Sequence, residues 1–153
     1  MADSPAVEAG VARQRARVPL PVPDAFALFT DGINEWWPLD EGFTYGGDRY
    51  DRIVLEARVG GRFYERFRDG EEFDVGRVVV CEPPERIVFT WRDPGWRDET
   101  EVEVTFEADA EETVVALAHR GFERLGAGWE EIWGRWNSGW PRVMAALERS
   151  RSS

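Results

Sequence analysis

The sequence contains no lysine: all 19 of its basic residues are arginines. Without a lysine amine the chain has no means of forming a Schiff base with a carbonyl substrate and no Walker-type phosphate lysine. It has one cysteine, Cys81, and one histidine, His119. That scarcity excludes an intrachain disulfide and a structural zinc site of Cys/His type assembled within one chain. Positive charge is short as well, with 30 acidic against 19 basic residues and a formal charge of −11. Such a surface repels phosphate backbones and anionic lipid heads, so neither nucleic acid nor a membrane is expected as a partner. No apolar run approaches the roughly 20 residues of a membrane helix. Met1 to Gly10 shows neither the basic nor the apolar segment of a signal peptide, and a soluble cytoplasmic protein is expected.

Large apolar side chains are abundant. Hydrophobic residues make up 42% and aromatics 13% of 153 residues, with eight tryptophans. This composition excludes disorder, and the length is that of one domain, read as residues 1–153 with an ordered core of about 10–148. The small polar ends, 1–8 and 150–153, are expected to fray. From Val11 to Val18 small or apolar residues alternate with Arg13, Arg15 and Arg17, the two-residue period of a strand with one solvated face. Pro19, Pro21 and Pro23 end it. A short helix follows, with Asp24 in its first turn and Phe26, Leu28 and Phe29 on its apolar face. One more turn runs over Ile33–Pro38, and Leu39–Tyr50 reads as a loop.

Six strand signals then follow at short spacing. Ile53, Leu55, Ala57 and Val59 alternate before Gly60-Gly61, which lacks a dinucleotide fingerprint and reads as a bulge or tight turn. Phe63, Glu65 and Phe67 alternate before the hairpin dipeptide Asp69-Gly70. Phe73–Cys81, Ile87–Trp91, Val102–Phe106 and Thr113–His119 complete an antiparallel meander. Cys81 reads as a small buried strand residue rather than a reactive thiol. Trp129, Ile132, Trp133, Trp136, Trp140, Val143, Met144 and Leu147 recur at three- and four-residue spacing and mark a long amphipathic helix, with a kink expected near Asn137–Pro141.

Several segments in order carry a resemblance. Val18-Pro19-Leu20-Pro21-Val22-Pro23-Asp24-Ala25-Phe26 with Trp36-Trp37-Pro38 resembles the opening of START-like (SRPBCC, birch-pollen-allergen fold) proteins, in the branch named after the activator of heat-shock protein 90 ATPase. Val59-Gly60-Gly61-Arg62-Phe63, Gly76-Arg77-Val78, the run from Glu82-Pro83-Pro84 to Trp91, Thr100-Glu101-Val102, the run from Thr113 to Phe122, and Gly128-Trp129 continue it. The resemblance implies an α+β helix-grip fold: a curved seven-stranded antiparallel sheet wrapped around the C-terminal helix, with two short helices between the first and second strands. It also implies a cavity between sheet and helix that holds a lipid, hormone or polyketide, and in a few members a cyclase or hydrolase. A chaperone partner is the weaker implication, because the eukaryotic co-chaperone carries an additional N-terminal chaperone-binding domain.

The candidate cavity residues follow from strand and helix parity. Phe63, Phe67, Phe89, Trp91 and Phe106 on the sheet oppose Trp129, Trp133 and Trp136 on the helix, and this aromatic set either fills the core or leaves a pocket. Trp36 and Trp37 either cover its entrance or anchor the two short helices. Glu65 shares parity with Phe63 and Phe67, and is either turned to solvent by a twist or bulge, or satisfied by an arginine such as Arg62 or Arg66, or orients a polar ligand group, or serves as a base. His119 is placed by parity at the cavity mouth, as a structural residue or as a partner of Glu65 in catalysis. The expected ligand is a small hydrophobic or amphipathic molecule, with no cofactor and no metal.

Overall fold

The computed structural model describes residues 10–151; the expected fraying of 1–8 and 152–153 lies outside them. Strand β1 (Ala12–Val18) is followed by helices α1 (Val22–Phe29) and α2 (Ile33–Trp36), then two single helical turns at Leu39–Glu41 and Gly47–Arg49. Strands β2 (Tyr50–Leu55), β3 (Arg62–Phe67), β4 (Glu72–Glu82), β5 (Arg86–Trp91), β6 (Thr100–Asp109) and β7 (Glu112–Arg120) follow, and α3 (Trp129–Arg149) closes the chain. All neighbours are antiparallel in a curved seven-stranded sheet of order β1-β7-β6-β5-β4-β3-β2. The helix-grip architecture is therefore present, with α1 and α2 carrying the chain from one sheet edge to the other.

The alternation in β1 has the expected outcome: Ala12, Ala16 and Val18 are buried, while Arg13, Arg15 and Arg17 stand outside. Arg17 pairs there with Asp109 at 2.7 Å and Glu112 at 3.2 Å. Strand β2 ends earlier than its alternation suggests, at Leu55, because residues 56–61 turn on their own hydrogen bonds from Arg58 N to Glu56 O and from Gly61 N to Arg58 O. Val59, the last residue of that alternation, is 67% exposed. Cys81 is only half-buried on β4, and burial pushes its thiol pKa up, away from reactivity.

Helix α3 is helical throughout, with Gly139 and Pro141 inside it. Its two halves have different surroundings. Trp140, Val143, Met144, Ala146 and Leu147 are buried, whereas Trp129, Ile132, Trp133 and Trp136 stay partly exposed. The second half packs on β1, where Glu148 accepts a 2.8 Å hydrogen bond from the Arg17 amide. Among the described residues no helix is long and apolar enough to cross a membrane.

One close approach shapes the sheet. A Cβ at Gly76 on β4 would lie 1.8 Å from the Thr90 carbonyl oxygen of β5, beside the irregularity that shifts register between Val78 and Val80. Gly76→Ala is therefore expected to destabilise by about 3 kcal/mol, the upper part of the overpacking range. Gly134→Ala, in open space on α3, is expected to stabilise by about 0.5–1 kcal/mol through helix propensity. Urea midpoints of the two variants check both signs.

Candidate functional site

The interior between sheet and helix is filled at one end and hollow at the other. At the β6–β7 side, Phe106 meets Phe26 and Phe29 at ring separations of 5.1 and 5.8 Å, so helix α1 closes that space. In the centre, Trp91 packs against Phe63 (5.1 Å), Trp136 (4.8 Å), Trp140 (5.7 Å) and Trp37 (6.0 Å). Beyond that cluster, under the segment 42–45, a cavity of about 230 Å³ remains. Trp37, Phe43, Ile53, Val75, Trp91 and Trp136 form its apolar walls, with Gly139 of α3 leaving room beside Phe43. Thr44, Tyr45, Glu65 and Asp93 form a polar side, and the exposed Gly42 and Arg135 mark the mouth.

Glu65 builds that polar side. It is 1% exposed, in line with its parity, yet no arginine meets it. Its Oε1 accepts the Tyr45 amide at 2.8 Å and its Oε2 accepts the Thr44 hydroxyl, whose oxygen in turn accepts the Gly46 amide at 3.0 Å. A buried carboxylate saturated by a loop in this way holds that loop over the cavity. The loop then presents Tyr45, whose hydroxyl donates to Asp93 Oδ1. The Trp91 indole N–H donates to both, at 2.8 Å to the Tyr45 oxygen and 3.1 Å to Asp93 Oδ1. Burial pushes the Asp93 carboxyl pKa up, against the lowering pull of these two hydrogen bonds and of the Arg135 charge. Burial and the neighbouring Asp93 push the Tyr45 phenol up, so it stays a donor at neutral pH.

Of the residues singled out in the sequence, Trp37, Glu65, Trp91 and Trp136 line this cavity, and the others lie elsewhere. Trp36 is buried and donates to the Leu28 carbonyl at 3.0 Å, which anchors α2 on α1. Trp37 is an inner wall rather than an exposed cover, with its N–H on the Phe43 carbonyl at 2.9 Å. Phe63, Phe89 and Phe106 are solid core, and Phe67 lies under Gly46 with Arg49 over its ring at 4.7 Å. Trp129 opens α3 beside Gly10; Trp133 packs on the core with its N–H buried and no acceptor among the described residues. Sequence reasoning missed Tyr45 and Asp93. Both lie in loops, where no period exists to place them, and the only hint was the turn sequence Asp93-Pro94-Gly95 just after Trp91.

His119 is the clearest correction. It is fully buried and outside the cavity lining, because the rings of Trp91, Phe122, Trp136 and Trp140 pack around it. Trp140 Nε1–H donates to its Nδ1 at 3.1 Å, and its Nε2 lies 2.7 Å from the Thr100 hydroxyl, which donates to the Trp91 carbonyl at 3.0 Å. The chain of donors fixes the neutral tautomer with the proton on Nε2. Among the described residues no three Asp, Glu, His or Cys side chains are grouped as a metal site would need.

Residues 19–150 match the family model described as activator of Hsp90 ATPase homolog 1-like protein. The chain belongs to this family. Three solved structures illustrate the likeness. Protein MLL2253 from Mesorhizobium loti is 19% identical, with a TM-score of 0.65 over 92% of this chain and 95% of that one. The HSP90 activator PFC0360w from Plasmodium falciparum is 21% identical, with a TM-score of 0.59 over 89% and 91% of the two chains. The anthrahydroquino-γ-pyrone synthase Txn09, complexed with SUM, is 29% identical, with a TM-score of 0.63 over 94% and 97%. No curated protein matches the sequence.

Two tests follow from this version of the family's interior. Burial lowers the His119 pKa from its ordinary 6.5 to about 3, so between those values the unfolded chain binds the extra proton and the folded one does not. Stability should therefore fall as pH drops from about 6.5 towards 3, with a limiting slope from this group of ~1.4 kcal/mol per pH unit. His119→Asn should lose stability at pH 7 but show a shallower dependence of urea midpoint on pH over that window. Glu65→Ala, which strips the Tyr45 amide and Thr44 hydroxyl of their acceptor, should cost about 1–3 kcal/mol. Glu65→Gln, which keeps an acceptor for the amide, should cost less, and chemical denaturation ranks the two.

Proposed function

We propose that the protein binds a small hydrophobic or amphipathic molecule in the cavity between segment 42–45, the sheet and α3. The observation that carries this reading is the composition of the walls. Three tryptophans, Trp37, Trp91 and Trp136, packed on one another, wall a hollow of about 230 Å³ that also has a polar side. Ligand sites have this character, apolar surface with a few fixed polar groups. The volume lies below the ~300–1,000 Å³ of drug-sized pockets, which suits a flat ligand of one or two rings. Stacking on indole faces would supply affinity, and the Tyr45–Asp93 pair orientation.

A second reading is an enzyme of cyclase type in the same cavity, favoured by the 29% identity to a γ-pyrone synthase. The pairing of Glu65 with His119 does not support it, since both Glu65 oxygens are occupied by the loop and His119 lies outside the cavity. Asp93 and Tyr45 are the groups in position for proton transfer. Turnover of a bound polyketide-like substrate, lost in Asp93→Asn, separates this reading from binding alone.

The test uses Gly139. A side chain larger than alanine there enters the cavity beside Phe43, while leucine is a better helix former than glycine. Native mass spectrometry of protein purified from its own host is expected to show a co-purifying small molecule on the wild type and at least tenfold lower occupancy on Gly139→Leu, with thermal stability retained. Equal occupancy of both would place the ligand elsewhere and sink the reading.

A further inference from the structure

Of the four carboxylate oxygens on the polar side of the cavity, one receives no hydrogen bond among the described residues. Asp93 Oδ1 receives both the Tyr45 hydroxyl and the Trp91 indole N–H, and among the described residues its Oδ2 receives no hydrogen bond. The other cavity carboxylate differs, because each oxygen of Glu65 accepts a hydrogen bond from the loop. Two donors on one oxygen hold the Asp93 carboxyl in the lining of the cavity with its second oxygen unengaged. Arg135 at the mouth is the charged side chain that acts on it.

We propose that Asp93 Oδ2 receives a hydroxyl of the ligand, so that the cavity selects flat aromatic or enolic molecules bearing an acidic O–H over counterparts that lack it. This rests on the cavity-binding reading above and names its ligand class. An O–H donated to a carboxylate in a partly desolvated site makes a short, charge-assisted hydrogen bond, and acidity of the hydroxyl strengthens it. A phenolic ring brings an aromatic body suited to walls made by Trp37, Trp91 and Trp136. The positive charge of Arg135 at the entrance works against a cationic N–H donor in the same position. Discrimination arises from the unmatched case: a molecule without the hydroxyl covers Oδ2, removes its water and returns no hydrogen bond.

Three probes of closely similar shape test this: 2-naphthol, 2-methoxynaphthalene and naphthalene, titrated calorimetrically into the full chain. The wild type is expected to bind 2-naphthol at least about tenfold more tightly than either of the others, equivalent to ~1.4 kcal/mol. Asp93→Asn keeps an oxygen for Tyr45 and Trp91 but turns the free position into a donor. It should cut the preference to about threefold or less, read as the ratio of the affinities for 2-naphthol and naphthalene on the same variant. Near-UV circular dichroism establishes that the variant is folded, and if it is not, the wild-type series decides alone. Equal affinities of the wild type for 2-naphthol and 2-methoxynaphthalene overturn the hydroxyl assignment and leave the binding cavity standing. A tenfold preference that persists in Asp93→Asn overturns it too, and no binding of any probe overturns both.

Discussion

The candidate site depends on one buried carboxylate. Glu65 sits on the inward face of β3, where an ionised side chain without partners would be costly to hold. The segment that leads into β2 supplies the partners, and in doing so is held across the open end of the sheet. Tyr45, placed by that attachment, reaches Asp93, and Trp91 bonds to both. A residue that in isolation looks like a candidate base thus serves as the anchor from which the polar groups of the hollow are positioned.

A second polar network has the opposite effect. His119 joins α3 through Trp140, β6 through Thr100 and β5 through the Trp91 carbonyl, with every donor matched to an acceptor. The two networks share Trp91: its backbone oxygen belongs to the sealed core and its indole N–H to the hollow. Trp91 therefore stands on the boundary between filled and empty interior, together with Trp37 and Trp136, which line the hollow and pack on the core. This arrangement explains how an interior so rich in rigid rings is compact around β6 and β7 yet open towards β2 and β3.

Much of the fold was legible because period and punctuation survive in a single chain. Alternation in β1, Asp69-Gly70 between β3 and β4, the Pro-rich stop after Val18 and the three-and-four spacing of α3 each carry their own physical cause. Glu65 is buried, as its parity with Phe63 and Phe67 implies, and not turned to solvent, the alternative the sequence left open. The misreadings have equally local causes. Val59 continues an apolar alternation that the 56–61 turn interrupts, and parity places His119 on the inner face without saying how deep. Parity also cannot divide inward-facing aromatics into wall and filler. Phe63 and Trp91 both face in, but only Trp91 borders the hollow, because that depends on how α1 and α3 cover the sheet. Tyr45 and Asp93 lay beyond reach for another reason: in loops, position is set by the partners.

The sheet order places the first strand beside the last, with Ala12 opposite His119. As the nascent chain leaves the ribosome, β1 therefore waits for β7 before it gains a neighbour, and the other six strands can zip in sequence meanwhile. Loop-closure entropy makes this late, long-range docking the slow step in assembly. During the wait β1 is an unpaired edge, the kind of segment that recruits other chains. Arg13, Arg15 and Arg17 place a like charge at every second position along it, so two such strands from different molecules repel one another until the cognate partner arrives.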